Sequence, residues 1–197
     1  MKILKKIKAK IWYIFLRNIR PEIIGGYSKA KMKYPKNTGI SNLTHISNYN
    51  NNLQIAEKVF IGHFNYIDAY NAKITIENNV QITNYVNILT HSSNNSIRMN
   101  NHSKIREEVY NELFNIGEVF IGEYSYIGPH SVIMPNTKIG RGCVISAYSY
   151  LKGDYPDYSI IRGIPAKVVG NTKSLDNQLL EKFPDLKESY YLKNEIN

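Results

Sequence analysis

The chain has 197 residues, 43% of them hydrophobic and 21% charged, with a formal net charge of +9. That length and composition exclude wholesale disorder, and no run approaches the roughly 20 consecutive apolar residues that a bilayer span needs. A single cysteine, Cys143, excludes an intrachain disulfide and a multi-cysteine zinc site, so the expected setting is cytoplasmic.

The first element is a basic amphipathic segment. Ile3, Ile7, Ile11, Ile14 and Phe15 recur at helical spacing, with lysines on the other faces. Residues 2–19 are therefore expected to be helical, within an N-terminal unit of residues 1–24. Lys and Arg interrupt its apolar run and no Ala-x-Ala-like site follows, which argues against a secretory signal. Seven of the 25 basic residues fall in the first 20 positions. With the charge concentrated there, and no basic stripe interleaved with aromatics elsewhere, nucleic acid is not an expected partner. The helix has two readings: a cover for the first edge of the fold, or peripheral contact with anionic lipid at the inner membrane face.

Next comes a repeat. Ile55, Ile61 and Ile67 are spaced by six, as are Ile76, Ile82 and Ile88, and then Ile121, Ile127, Ile133, Ile139, Ile145 and Leu151. A helical face repeats at 3.6 residues and a half-buried strand at two. A sustained period of six fits a short strand plus a tight turn, three of which close one turn of a parallel β-helix with stacked Ile and Val inside. Gly62, Gly122, Gly128 and Gly140 follow the aliphatic and are expected at positive φ. The expected fold class is all-β, a β-helix over residues 38–170.

The phase breaks three times. An enlarged turn is expected near Tyr70 to Lys73. Residues 92–114 lack the period and read as a long protruding loop, a kind of segment that is usually functional. After Leu151 the coil is expected to end, and residues 171–197 to form a C-terminal segment with a short helix from Ser174 to Phe183.

Five histidines are candidates: His45, His63, His91, His102 and His130. His91 stands out because it lies where rigid coil gives way to the loop, a placement suited to a general base. His102 lies inside the loop and is assigned to acceptor contact. No H-E-x-x-H spacing, nucleophile elbow or phosphate loop is present, and no metal is expected. Cys143 falls at an interior position, which disfavours covalent catalysis.

The hexapeptide phasing, Thr90-His91 before a loop, and the closing Gly163-Ile164-Pro165-Ala166-Lys167-Val168-Val169 together resemble the left-handed β-helix acetyltransferases. The nearest likeness is to the galactoside, maltose and polysaccharide O-acetyltransferases, over about Leu53 to Gly170. The resemblance implies a left-handed coil, a homotrimer, acetyl-CoA as co-substrate and His91 as the base. It implies acetyl-CoA binding near Gly128, Ala147, Lys152 and Lys167. Asp68, Asn84 and Tyr85, on coil turns preceding His91, are candidates for an acceptor wall, with turn chemistry the favoured role for Asn84. The implied activity is transfer of an acetyl group to a sugar hydroxyl in surface-polysaccharide synthesis. N-acetylation of a nucleotide-linked amino sugar is the alternative. Three positions depart from the family pattern: Tyr126 stands where Trp is common, Pro129 offers no backbone N–H, and Leu151-Lys152-Gly153-Asp154 replaces Val-Thr-Lys-Asp.

Overall fold

The computed structural model describes residues 7–8, 10–15, 23–25, 35, 37–99 and 107–192. Within them the repeat winds a three-sided parallel coil. On the first face, β2 (Gly39–Ser41), β5 (Phe60–Ile61), β8 (Gln81–Ile82), β11 (Tyr126–Ile127), β13 (Val144–Ile145) and β15 (Ser159–Gly163) stack in that order. The second face carries β3 (His45–Asn48), β6 (Tyr66–Ala69) and β9 (Asn87–Leu89), and the third carries β4 (Leu53–Ile55), β7 (Ile74–Ile76) and β10 (Val119–Ile121). β12 (Val132–Ile139) and β14 (Tyr150–Tyr155) run around the corner and join these two faces into one sheet.

Register places like on like. Ile40, Ile61, Ile82, Ile127, Ile145 and Ile161 form one inner column, and Ile67, Ile88, Ile133 and Leu151 another. The five expected interior residues Ile121, Ile127, Ile133, Ile139 and Ile145 are fully buried. Each buried aliphatic side chain of this size contributes roughly 1.5–3 kcal/mol, so the column dominates the stability of the coil.

The glycines do something other than expected. Positive φ falls instead two places later, on Phe64, Tyr124, His130 and Gly142 at 57–62°, and likewise on Tyr85, Asn136 and Tyr148 at 58–60°. Gly122 and Gly128 are needed because neighbouring coils press together there. A Cβ on Gly128 would sit 2.6 Å from the Ala147 nitrogen, and one on Gly122 would sit 2.6 Å from the Arg141 nitrogen.

Two further expectations change. The coil does not end at Leu151: β14 turns Tyr155 inward and β15 adds Ile161 to the core. The phase is lost there because the corner is two residues shorter. Ile133 and Thr137 pair with Leu151 and Gly153. The loop at 92–114 carries helical turns, α2 (Ser96–Met99) and α3 (Glu107–Leu113).

At the first edge, β1 (Ile23–Gly25) lies antiparallel to β2, so a strand covers that edge of the first-face sheet and the expected boundary at residue 24 falls within it. Residues 7–8 and 10–15 are helical (α1), and their side chains are exposed. At the other edge, β16 (Ala166–Asn171) turns back antiparallel on β15. The final helix, α4 (Thr172–Lys182), begins two residues before the expected Ser174. Its start is fixed by Asn171, whose side chain accepts from the Lys173 N–H, and by the buried Thr172 hydroxyl, which donates 2.8 Å to the Gly142 carbonyl. No described helix is long and apolar enough to cross a membrane.

Candidate active site

His91 follows β9 at the root of the excursion, and the coil holds it from two sides. Beneath it, β6 and β9 pair with Asp68 opposite Leu89. The fully buried Thr90 hydroxyl donates 2.7 Å to the Asp68 carbonyl, locking the two coils at this step. Above it, the excursion is clipped shut: Gly117 N–H donates to Thr90 O at 3.0 Å and Ser92 N–H to Phe114 O at 2.8 Å. The backbone on both sides of His91 is therefore fixed.

The side chain is fixed too. His91 Nδ1 lies 2.7 Å from Asp68 Oδ2, and neither atom has another hydrogen-bond partner among the described residues. The Asp68 side chain is 3% exposed and its second oxygen accepts from Tyr70 N–H at 3.2 Å; the His91 side chain is 36% exposed. A buried carboxylate facing Nδ1 selects the tautomer with its proton there, which leaves Nε2 with a free lone pair. Asp68 is almost fully enclosed, and its carboxylate faces the imidazole.

The other candidates separate into groups. Asn84, Tyr85, Gly128 and Ala147 share the corner between the first and second faces, at the opposite end of the second face from His91. There Phe64, Tyr85, His130 and Tyr148 stack ring on ring at 4.7–5.1 Å along the axis. Asn84 Oδ1 accepts from His63 N–H at 2.7 Å, which gives it a turn-holding role. His63 is itself tied down, its Nδ1 2.7 Å from the Ser41 hydroxyl, and His45 stacks on Tyr66. Gly128 is buried against Ala147, which is exposed. Lys152 is exposed on β14, following Leu151, which stands in register with Ile88 through Ile133. Lys167 is exposed on the terminal hairpin opposite Arg162. His102 lies outside the described residues. Cys143 is fully buried, its sulfur 3.2 Å from the Pro156 carbonyl, and burial pushes its thiol above the ordinary range.

Comparison with known proteins adds a family context. The bacterial transferase hexapeptide family (six repeats) matches residues 118–153. A Mycobacterium tuberculosis protein named a probable acetyltransferase is 30% identical over 142 residues, covering 72% of this chain and 45% of that protein. WbbJ of Escherichia coli, provisionally named a lipopolysaccharide biosynthesis O-acetyl transferase, is 37% identical over 51 residues, 26% of each chain. The chain thus spans less than half the length of the curated relatives it matches. Among solved structures, AntD, an N-acyltransferase from Bacillus cereus bound to dTDP and 3-hydroxybutyryl-CoA, superposes with a TM-score of 0.51 at 22% identity, covering 76% of this chain and 89% of that one. At that identity the likeness establishes the fold alone. The hexapeptide match and this likeness imply a left-handed sense for the coil.

Proposed function

We propose, on the premise that this hexapeptide-repeat chain resembles the left-handed β-helix acetyltransferases, that it transfers an acetyl group from acetyl-CoA to a sugar hydroxyl. The observation that carries the reading is the His91–Asp68 pair, a half-exposed imidazole oriented by a buried carboxylate at the root of the excursion.

His91 Nε2 accepts the proton of the acceptor hydroxyl as that oxygen attacks the thioester carbonyl. The C–S bond then breaks, and His91 returns the proton to the departing thiolate. Asp68 holds the ring in place and offsets the positive charge that His91 carries between the two transfers. Cys143, buried and held by the Pro156 carbonyl, takes no part, so the acetyl group passes directly to the acceptor. Lys152 and Lys167 are exposed cations suited to the phosphates of the donor, and the close-packed Gly128–Ala147 corner offers a wall for its chain.

That wall and His91 sit at different corners of one coil. A homotrimer reconciles them, because copies packed around an axis parallel to the coil set the His91 corner of one against the Gly128–Ala147 corner of the next. Tyr85, with its exposed edge on the latter corner, then faces the acceptor. The likeness to WbbJ favours a hydroxyl acceptor in surface-polysaccharide synthesis. The likeness in fold to AntD keeps one other reading open, N-acetylation of a nucleotide-linked amino sugar.

The deciding experiment incubates purified protein with acetyl-CoA and a panel of saccharides and nucleotide-linked amino sugars, following CoA release and product mass. Acceptor-dependent release with a product that loses its acetyl group in mild base supports O-acetylation. A base-stable product supports the amine reading. Release that no acceptor on the panel stimulates counts against both.

A further inference from the structure

We propose that α1 docks this protein peripherally on an anionic phospholipid bilayer, independently of the chemistry at His91. No described residue covers the apolar side chains of this helix. Ile7, Ile11, Ile14 and Phe15 are 52–62% exposed, as are Trp12 at 61% and Tyr13 at 66%. Helical spacing puts Ile7, Ile11, Ile14 and Phe15 on one strip, with Lys8 and Lys10 along its two edges. Trp12 lies just beyond Lys8 and stacks on Phe15 at 5.4 Å, a ring pair at the border between the apolar strip and the polar side. Lysines at such edges can lay their stems along the apolar strip while their ammonium groups meet lipid headgroups.

Charge decides between lipid and a second copy of the chain. The first 20 residues contain Lys2, Lys5, Lys6, Lys8, Lys10, Arg17 and Arg20 and no acidic residue. Two such helices face to face would bring like charges together with nothing to offset them. An anionic bilayer supplies the counter-charge, and each basic residue near it strengthens binding by roughly fivefold. No described helix is long and apolar enough to cross a membrane, and the proposed contact draws on both the strip and the cations.

Trp12 is the only tryptophan, so its fluorescence reports on this helix alone. The test adds the full-length protein to phosphatidylcholine vesicles with and without phosphatidylglycerol, at low and high salt, and reads Trp12 emission and co-sedimentation. A blue shift and sedimentation with the anionic vesicles alone are expected, weakened by about tenfold or more at high salt, where the Debye length falls to a few ångströms. Ile7→Glu/Ile11→Glu should abolish both signals, and Lys8→Gln/Lys10→Gln should weaken binding severalfold. Both pairs sit on exposed positions, so the circular dichroism of the coil should be unchanged. Three results overturn the proposal: equal binding to neutral vesicles, binding retained in the Ile7→Glu/Ile11→Glu variant, or emission that is already blue-shifted in buffer and indifferent to vesicles. The last would mean that protein covers the helix.

Discussion

His91 Nδ1 and Asp68 Oδ2 lie 2.7 Å apart as an ion-pair contact, and neither atom has a hydrogen-bond partner among the described residues. The two residues come from successive turns of the coil, so their distance is set by the spacing of β6 and β9 rather than by any flexible segment. Two experiments separate the part each plays.

Replacing His91 by Ala removes the proposed base and leaves the coil intact. Acetyl transfer should fall by about 10²–10⁴-fold, the usual worth of general-base catalysis. Affinity for CoA and the melting temperature should stay near those of the unaltered protein. A variant that keeps more than about a tenth of the turnover would show that the base lies elsewhere. His102→Ala is expected to weaken acceptor binding or to do little, and inactivation by that change would move the assignment into the loop.

Asp68→Asn keeps the shape of the side chain and removes its charge. Turnover should drop by roughly 10²-fold or more, as when the Asp behind a catalytic His is neutralised in a hydrolase triad. The KM for both substrates should hardly move, because Asp68 is buried and touches neither. A rise in acceptor KM with turnover preserved would return Asp68 to the acceptor wall.

Ile133→Ala opens a cavity in the middle of an inner column. A cost of about 2–5 kcal/mol is expected in urea or thermal unfolding. Val132→Ala, on the neighbouring half-exposed position, should cost much less. Equal costs would be incompatible with the observed facing of β12.

Gly128→Ala tests the close approach of two coils. The added Cβ meets the Ala147 nitrogen at 2.6 Å, backbone against which no side chain can yield. A loss of about 1–3 kcal/mol is expected, measured as a lower denaturation midpoint. An unchanged midpoint would show that the two coils tolerate a methyl group at this contact.

Cys143 should resist thiol reagents in the native protein at neutral pH. It is fully buried and burial raises its thiol, so little reactive thiolate forms. Modification should appear only as denaturant unfolds the coil, and a rapid reaction in buffer would contradict the packing around Pro156.

What the sequence made legible follows from which interactions repeat. Ile121 to Ile145 announce themselves because every coil imposes the same inner position, so six-residue spacing and burial coincide. His91 was legible as the residue at which that spacing stops. Asp68 was visible as a candidate, but its pairing with His91 was not, since that depends on register between coils. The glycines were legible as special and misread in cause. Both a tight turn and a close approach select Gly, and spacing alone does not distinguish them. Beyond Leu151 the shortened corner shifts the phase, and Tyr155 replaces an aliphatic, so the last coil was hidden. The separation of the Gly128–Ala147 corner from His91 could be seen only once the faces were assigned.

The clip at the base of the excursion has a consequence for how this protein can change. Thr90 and Gly117 are joined by a 3.0 Å hydrogen bond, and Ser92 and Phe114 by one of 2.8 Å. The chain thus leaves the coil and returns to it at nearly the same point. The stretch between is an interchangeable cassette: its length and sequence can drift or be grafted from a relative without altering the stacking of β9 and β12. The pair at His91 and Asp68 stays with the scaffold while the excursion is rewritten. Selection for a new acceptor can act there first, at little cost to folding.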